Sequence, residues 1–332
     1  MKFGPVPLTE AEGAILAHSV GLPKGRLRKG VTLDAAALGK LRTADITEVT
    51  VARLEDGDVH EDRAAERLAQ ALVPNADGVH LRVAPASTGR VNIYATDNGV
   101  AAIDAARINA LNAIHPMITV ATVPEWQRMA ARGMVATVKI ISYAAPGDAL
   151  EATCLAGREA LALRPVTHRR ALLVQTSVGG ADVGAKGHRA MAVRFDRMGV
   201  ALGDPTVVPH RIAALRDALL AGRRDHDILC VLTGSATSDL HDVAPEALRA
   251  AGGTVVHYGM PVDPGNLLFW GHLDGVPVLG LPGCARSPAL NGADWVLERM
   301  LCDVDVTPSD IMAMGVGGLL KEPPSRPRPR ES

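Results

Sequence analysis

Between Arg169 and Leu301 short apolar runs alternate with longer segments whose apolar residues recur at helical spacing. A chain patterned this way has few options, because strands buried on both faces must be joined by crossovers long enough to hold a helix. Strands are expected at 171–176, 204–208, 227–233, 254–262, 267–273 and 276–281. Helices are expected at 188–198, 211–221, 243–251 and 287–301. The pattern predicts an α/β fold, a doubly wound and mostly parallel sheet. Ligands of such sheets bind outside the carboxyl ends of the strands, which selects the loops after Thr176, Thr233, Val262 and Leu281.

The preceding half is patterned differently, and four segments are expected. Residues 1–75 read as a small α+β unit with a turn at 20–29, a helix at 35–41 and a strand at 46–54. Asp58, with Glu61 three residues on, reads as the capping box of a helix at 63–72. Residues 76–165 read as a second α+β unit, with strands at 79–84, 90–95 and 135–143 and helices at 99–113 and around 124–132. Residues 166–305 form the α/β segment, and 306–332 a tail rich in proline and arginine with too little apolar material to pack.

Composition closes off several functions. A net charge of −1 provides no field for nucleic acid, and three residues each of Trp, Tyr and Phe leave little for base stacking. No uninterrupted apolar run is long enough for a bilayer, so no nucleic-acid or membrane partner is expected. Cys154, Cys230, Cys284 and Cys302 are widely spaced and make no metal or redox pair, with Cys230 in an expected core strand. A cytoplasmic protein, forming a homo-oligomer, fits these features.

The most chemical stretch follows the strand ending at Leu232. Thr233, Gly234, Ser235, Ala236, Thr237 and Ser238 form a small, hydroxyl-rich loop, and Asp242 precedes a helix that opens with Pro245 and Glu246. Backbone N–H groups, hydroxyls and a helix amino terminus favour a phosphate. A carboxylate among them needs a task, such as holding a metal or an amine. A second donor set follows the first strand: Thr176, Ser177, Gly179, Gly180 and Lys186. This is a near miss for a P-loop, since Ala185 follows Gly184 and Gly187 stands where a Ser or Thr belongs. A nucleophile elbow, a dinucleotide glycine motif at this turn and a histidine pair for zinc are all missing.

These residues resemble a family. Thr233-Gly234 followed by Asp242-Val-Ala-Pro-Glu-Ala247 is similar to the Thr-Gly-Gly-Thr-Gly-x-x-x-Arg-Asp-Val-Thr-Pro-Glu-Ala pattern of molybdopterin adenylyltransferases, in register without gaps. Asp263-Pro264-Gly265-Asn266 resembles the Lys-Pro-Gly-Lys-Pro segment of molybdopterin molybdenumtransferases. Gly280-Leu-Pro282-Gly283-Cys-Ala-Arg-Ser287 resembles their Gly-Leu-Pro-Gly-Asn-Pro-x-Ser. The resemblance covers about residues 166 to 305 and implies the molybdopterin-binding domain that these enzymes share with gephyrin. Residues 1–165 resemble the leading region of a bacterial subfamily in which this module often precedes a domain like the molybdenum-cofactor cytidylyltransferases.

The resemblance implies molybdopterin as ligand, a role in molybdenum-cofactor biosynthesis, and transfer of molybdate or a nucleotide. It implies Asp242 as the catalytic residue, holding Mg²⁺ or orienting the reacting oxygen. Ser235 and Thr237 stand where the pattern has glycines, Ala236 where it has Thr, His241 where it has Arg, Asn266 where it has Lys and Cys284 where it has Asn. Those departures frame a second expectation, a non-catalytic carrier that presents cofactor to a nucleotidyltransferase. A third is a pyridine-nucleotide domain like that of the competence-damage-inducible proteins.

Overall fold

Each apolar run expected as a strand after residue 169 forms one in the computed structural model, which describes residues 1–179 and 184–320. Contacts divide the chain into two units, one of residues 1–96, 101–127 and 131–163, the other of 97–100, 128–130 and 164 onward.

The first unit is built on antiparallel sheets. Lys2–Pro7, Glu48–Arg53 and Ile15–Leu16 form one sheet, and Ile118–Thr122, Met134–Ile140, Arg90–Ala95 and Leu81–Val83 form another in that order. Helix Glu61–Leu72 buries Ala64, Ala65, Leu68, Ala69 and Leu72 and packs against Arg90–Ala95 and Met134–Ile140. That apolar face ties the segments on either side of residue 75 into one unit.

Three local expectations are corrected here. Asp58 is not the helix cap: it lies in strand Asp58–His60, binds the amino-terminal ammonium at 2.7 Å and accepts from Glu55 N. His60 caps instead, its Nδ1 accepting from Asp62 N. Gly99–Ile103 is a strand, and its helix starts only at Ala105, where Asp104 accepts from Arg107 N at 3.0 Å. An Asp side chain at this position supplies an acceptor that an interior turn could not use. The helix expected around 124–132 is replaced by turns and the short strand Arg128–Met129.

The second unit runs β1 (Arg170–Ser177), α1 (Gly184–Met198), β2 (Ala201–Leu202), β3 (Thr206–Pro209), α2 (Ile212–Gly222), β4 (Ile228–Leu232), α3 (Val243–Ala250), β5 (Thr254–Tyr258), β6 (Phe269–Leu273), β7 (Val276–Leu281), α4 (Gly292–Met300) and α5 (Pro308–Ala313). β2 and β3 pair with one side of β1, and the sheet continues β1-β4-β7-β6-β5. β1, β2, β3, β4 and β7 are parallel, whereas β6 runs antiparallel to β5 and β7. On one face Leu172, Val174, Leu229, Val231 and Val278 meet Leu215, Leu219, Ala244 and Leu248 of α2 and α3. Alternation sends Gln175 to the other face, under α1, whose Met191 and Phe195 are fully buried. Each large apolar side chain so buried stabilises by about 1.5–3 kcal/mol. Cys230, in the middle of β4, is free and buried, and burial pushes its thiol pKa up to about 12.

The helix expected at 287–301 is shorter than that. It begins at Gly292, where Asn291 Oδ1 accepts from Ala293 N and Asp294 accepts from Asn291 N, each at 2.9 Å. Further along α4, Glu298 lies 3.4 Å from Arg128. Burial, with the Asp294 carboxylate adding to it, pushes the Glu298 pKa up to about 7, against the pull of Arg128, Arg197 and Arg194.

An unfolded glutamate titrates near 4.5, so between that value and about pH 7 the folded state holds a proton the unfolded state lacks. Stability therefore falls as pH rises through this window, by roughly 3 kcal/mol for a shift of this size. Glu298→Gln is expected to melt at a higher temperature than wild type at pH 8 and at nearly the same temperature at pH 5. Parallel pH trends in the two proteins would count against this assignment.

Candidate functional site at the carboxyl edge of the parallel sheet

From β1 the chain crosses to β3 on one side, and after β4 it continues to β5, β6 and β7 on the other. Adjacent strands whose connections leave in opposite directions open a crevice at their carboxyl ends. The loops after Ser177, Pro209, Leu232 and Leu281 issue from that edge, as does the 259–268 loop, because β5 runs in the direction of β7. Gly180 of the first loop lies outside the described residues.

At the crevice the ends of β1 and β4 are in contact. Gly234 N donates to the hydroxyl of buried Thr176 at 2.8 Å, and that hydroxyl lies 2.8 Å from His210 Nδ1 in the loop after β3. A Cβ on Gly234 would stand 2.6 Å from Thr176 O, so only glycine lets the two backbones approach. Thr233 and Thr237, both buried, pair their hydroxyls at 3.2 Å, and Tyr258 Oη donates to Thr237 O at 3.0 Å. Ser235, Ala236 and Ser238 are exposed around this knot.

Asp242 is the amino-terminal cap of α3. One carboxylate oxygen accepts from Val243 N at 2.7 Å and the other from Ser238 N at 3.0 Å. Part of the donor set expected for a phosphate is thus committed to Asp242. Beside it Glu246 takes hydrogen bonds from His241 at 2.9 Å and Arg249 at 2.7 Å, and the His241 bond leads the causes that hold its carboxyl below the usual range. The described residues contain no group of three His, Cys, Asp or Glu side chains fit to hold a metal.

The other expected positions lie along the same edge. Ser177 ends β1, half-buried, while Gly179 and Lys186, in the first turn of α1, are exposed. Pro264, Gly265 and Asn266 fold back on α4: Gly292 N donates to Pro264 O at 2.8 Å, and a Cβ on buried Gly265 would stand 2.9 Å from Gly292 N. Asn266 is exposed, its carbonyl accepting from Met260 N at 3.0 Å. Pro282 is buried, with Gly283 and Ser287 at the surface.

Two residues were not singled out from the sequence. His210 is brought to Thr176 by the short β3 strand. Arg286 reaches across from the loop after β7, its Nη2 donating to Thr233 O at the end of β4 and its Nη1 to Gly283 O at 3.5 Å. That loop is fixed from below. Arg194 of α1, 8% exposed, donates to Ala285 O at 3.1 Å, Ser287 O at 2.9 Å and Ala289 O at 3.0 Å, and pairs with Asp294. The strand-end rule pointed to this loop, but a lone arginine in a loop otherwise reads as solvated.

No family model and no curated protein matches this chain. Among solved structures it is similar to the molybdopterin biosynthesis MoeA protein of Pyrococcus horikoshii, at 13% identity and a TM-score of 0.33, over 91% of this chain and 75% of that one. The structure of a molybdopterin biosynthesis MoeA protein from Pyrococcus horikoshii OT3 gives 10% identity and a TM-score of 0.26, over 91% of this chain and 74% of that one. A molybdenum cofactor biosynthesis protein of Pyrococcus furiosus gives 12% and 0.25, over 94% of this chain and 65% of that one.

Proposed function

We propose that the second unit binds molybdopterin and serves molybdenum-cofactor biosynthesis. One observation carries this reading: the three segments that resemble the family, 233–242, 263–266 and 280–287, are separated by 20 and 13 residues yet issue from one sheet edge. A pterin lying across the strand ends would place its phosphate toward Gly234, the Thr233–Thr237 pair and Lys186. Asp242, Thr176, Ser177, Gly179, Gly180, Ser235, Ala236, Ser238, Pro264, Gly265, Asn266, Pro282, Gly283 and Ser287 would line the ligand. A transferase step at Asp242, carrying molybdate or a nucleotide to the pterin, completes the proposal.

A carrier without turnover is the second reading, favoured by the commitment of both Asp242 oxygens to helix capping. The full-length protein, isolated and denatured, should release a fluorescent oxidised pterin. Incubation of the loaded protein with molybdate and Mg-ATP separates the readings, since nucleotide transfer releases pyrophosphate, molybdate transfer gives molybdenum-bound pterin with loss of water, and a carrier gives neither. Absence of bound pterin, both as isolated and after incubation with the ligand, would overturn both.

A further inference from the structure

Arg286 is a half-buried guanidinium for which no carboxylate partner is found among the described residues. Its hydrogen bonds are to two carbonyl oxygens, Thr233 O and Gly283 O. The acidic side chains at the start of α3 are otherwise engaged: Asp242 caps the helix and Glu246 is held by His241 and Arg249. Burial penalises the charge and draws the guanidinium pKa down, and since arginine does not give up its proton the penalty persists until an anion arrives.

The position is specific. Thr233 O is the first carbonyl beyond β4, so the guanidinium stands at the mouth of the switch-point crevice, beside the paired Thr233 and Thr237 hydroxyls. It is also rigid, because Arg194 grips the carbonyls on either side of it, Ala285 O and Ser287 O. A preorganised fork with a planar face suits two oxygens of a phosphoryl group better than a single negative charge.

We infer that Arg286 is the anion clamp of this site and takes a phosphoryl group, setting a preference for phosphorylated over dephosphorylated ligands. The inference rests on the pterin reading for the identity of the ligand, but not for the existence of the clamp. A phosphate could come from the pterin or from free pyrophosphate, and the two sources need separate arms.

The test titrates full-length wild type, Arg286→Met and Arg286→Lys with three probes: an oxidised pterin bearing its phosphate, the same pterin dephosphorylated, and pyrophosphate. Binding is read by pterin fluorescence and by thermal shift. The expected result is at least tenfold weaker binding of both phosphorylated probes by Arg286→Met, with only partial recovery in Arg286→Lys. Dephosphorylated pterin should bind all three proteins alike. Arg286-dependent binding of pyrophosphate by a protein that ignores both pterins would sustain the clamp and sink the pterin reading. Pterin binding that ignores the phosphate, equal binding of phosphorylated probes by wild type and Arg286→Met, or no binding of any probe by wild type overturns the clamp. Should Arg286→Met fail to fold, Arg286→Lys carries the comparison, and wild-type affinity for phosphorylated probes in Arg286→Lys overturns it too.

Discussion

Arg194→Met is expected to destabilise the second unit by about 3–5 kcal/mol, measured by urea denaturation, the range found when one partner of a buried ion pair is removed. The guanidinium is enclosed, and each of its nitrogens is used. Nε and Nη2 meet the Asp294 carboxylate, Nη1 the carbonyls of Ala190 and Ala285, and Nη2 those of Ser287 and Ala289. Methionine fills much of the volume but leaves Asp294 charged and buried without its partner. It also leaves the loop carbonyls of Ala285, Ser287 and Ala289 to find other donors. A loss of that size is a large part of the stability of an ordinary domain, about 5–15 kcal/mol. Arg194→Met with Asp294→Asn should recover part of the loss, because the orphaned charge goes while Asn retains an acceptor for the backbone N–H of Asn291. A single-variant effect under about 1 kcal/mol, or no recovery in the double variant, would show that the network is peripheral. In Arg194→Met the 283–289 loop loses its anchor as well, so phosphate binding through Arg286 should weaken even where the protein remains folded.

How much of this was legible in the sequence differs between the two halves for a physical reason. In 166–305 the central strands β1 and β4 are buried on both faces, so their apolar runs are continuous, and the neighbouring helices have one apolar stripe. The sheet, its direction and the edge carrying the site follow from that. Gly99–Ile103 shows the converse: Gly-Val-Ala-Ala-Ile suits a strand or a buried helix equally, and the cap at Asp104 decides between them. At Asp58 the capping spacing was present, but the amino-terminal ammonium, 57 positions away in sequence, claimed the carboxylate. In the site, the loops are local and were readable, whereas Arg286 acquires its role only when β7 is laid beside β4 and its guanidinium reaches Thr233 O.

Asp242 tests whether the site does chemistry, and the choice of substitution matters because the residue has two jobs. As a cap its carboxylate satisfies Val243 N and Ser238 N; Asp242→Ala removes both acceptors and should destabilise by about 1 kcal/mol. Asparagine caps about as well as aspartate, but its single acceptor oxygen serves only one of the two N–H groups, so Asp242→Asn should lose less stability than Asp242→Ala while losing the charge. A negative charge beside a bound phosphate repels it, so Asp242→Asn should hold phosphorylated pterin as tightly as wild type or more tightly. Turnover with molybdate and Mg-ATP should nevertheless fall by at least about 10²-fold, the scale on which a positioned acid, base or electrostatic group contributes. Tighter binding with lost turnover is a combination that structural damage does not produce. Equal turnover in wild type and Asp242→Asn would strip the carboxylate of a catalytic role and leave it as the cap of α3, the arrangement a carrier requires.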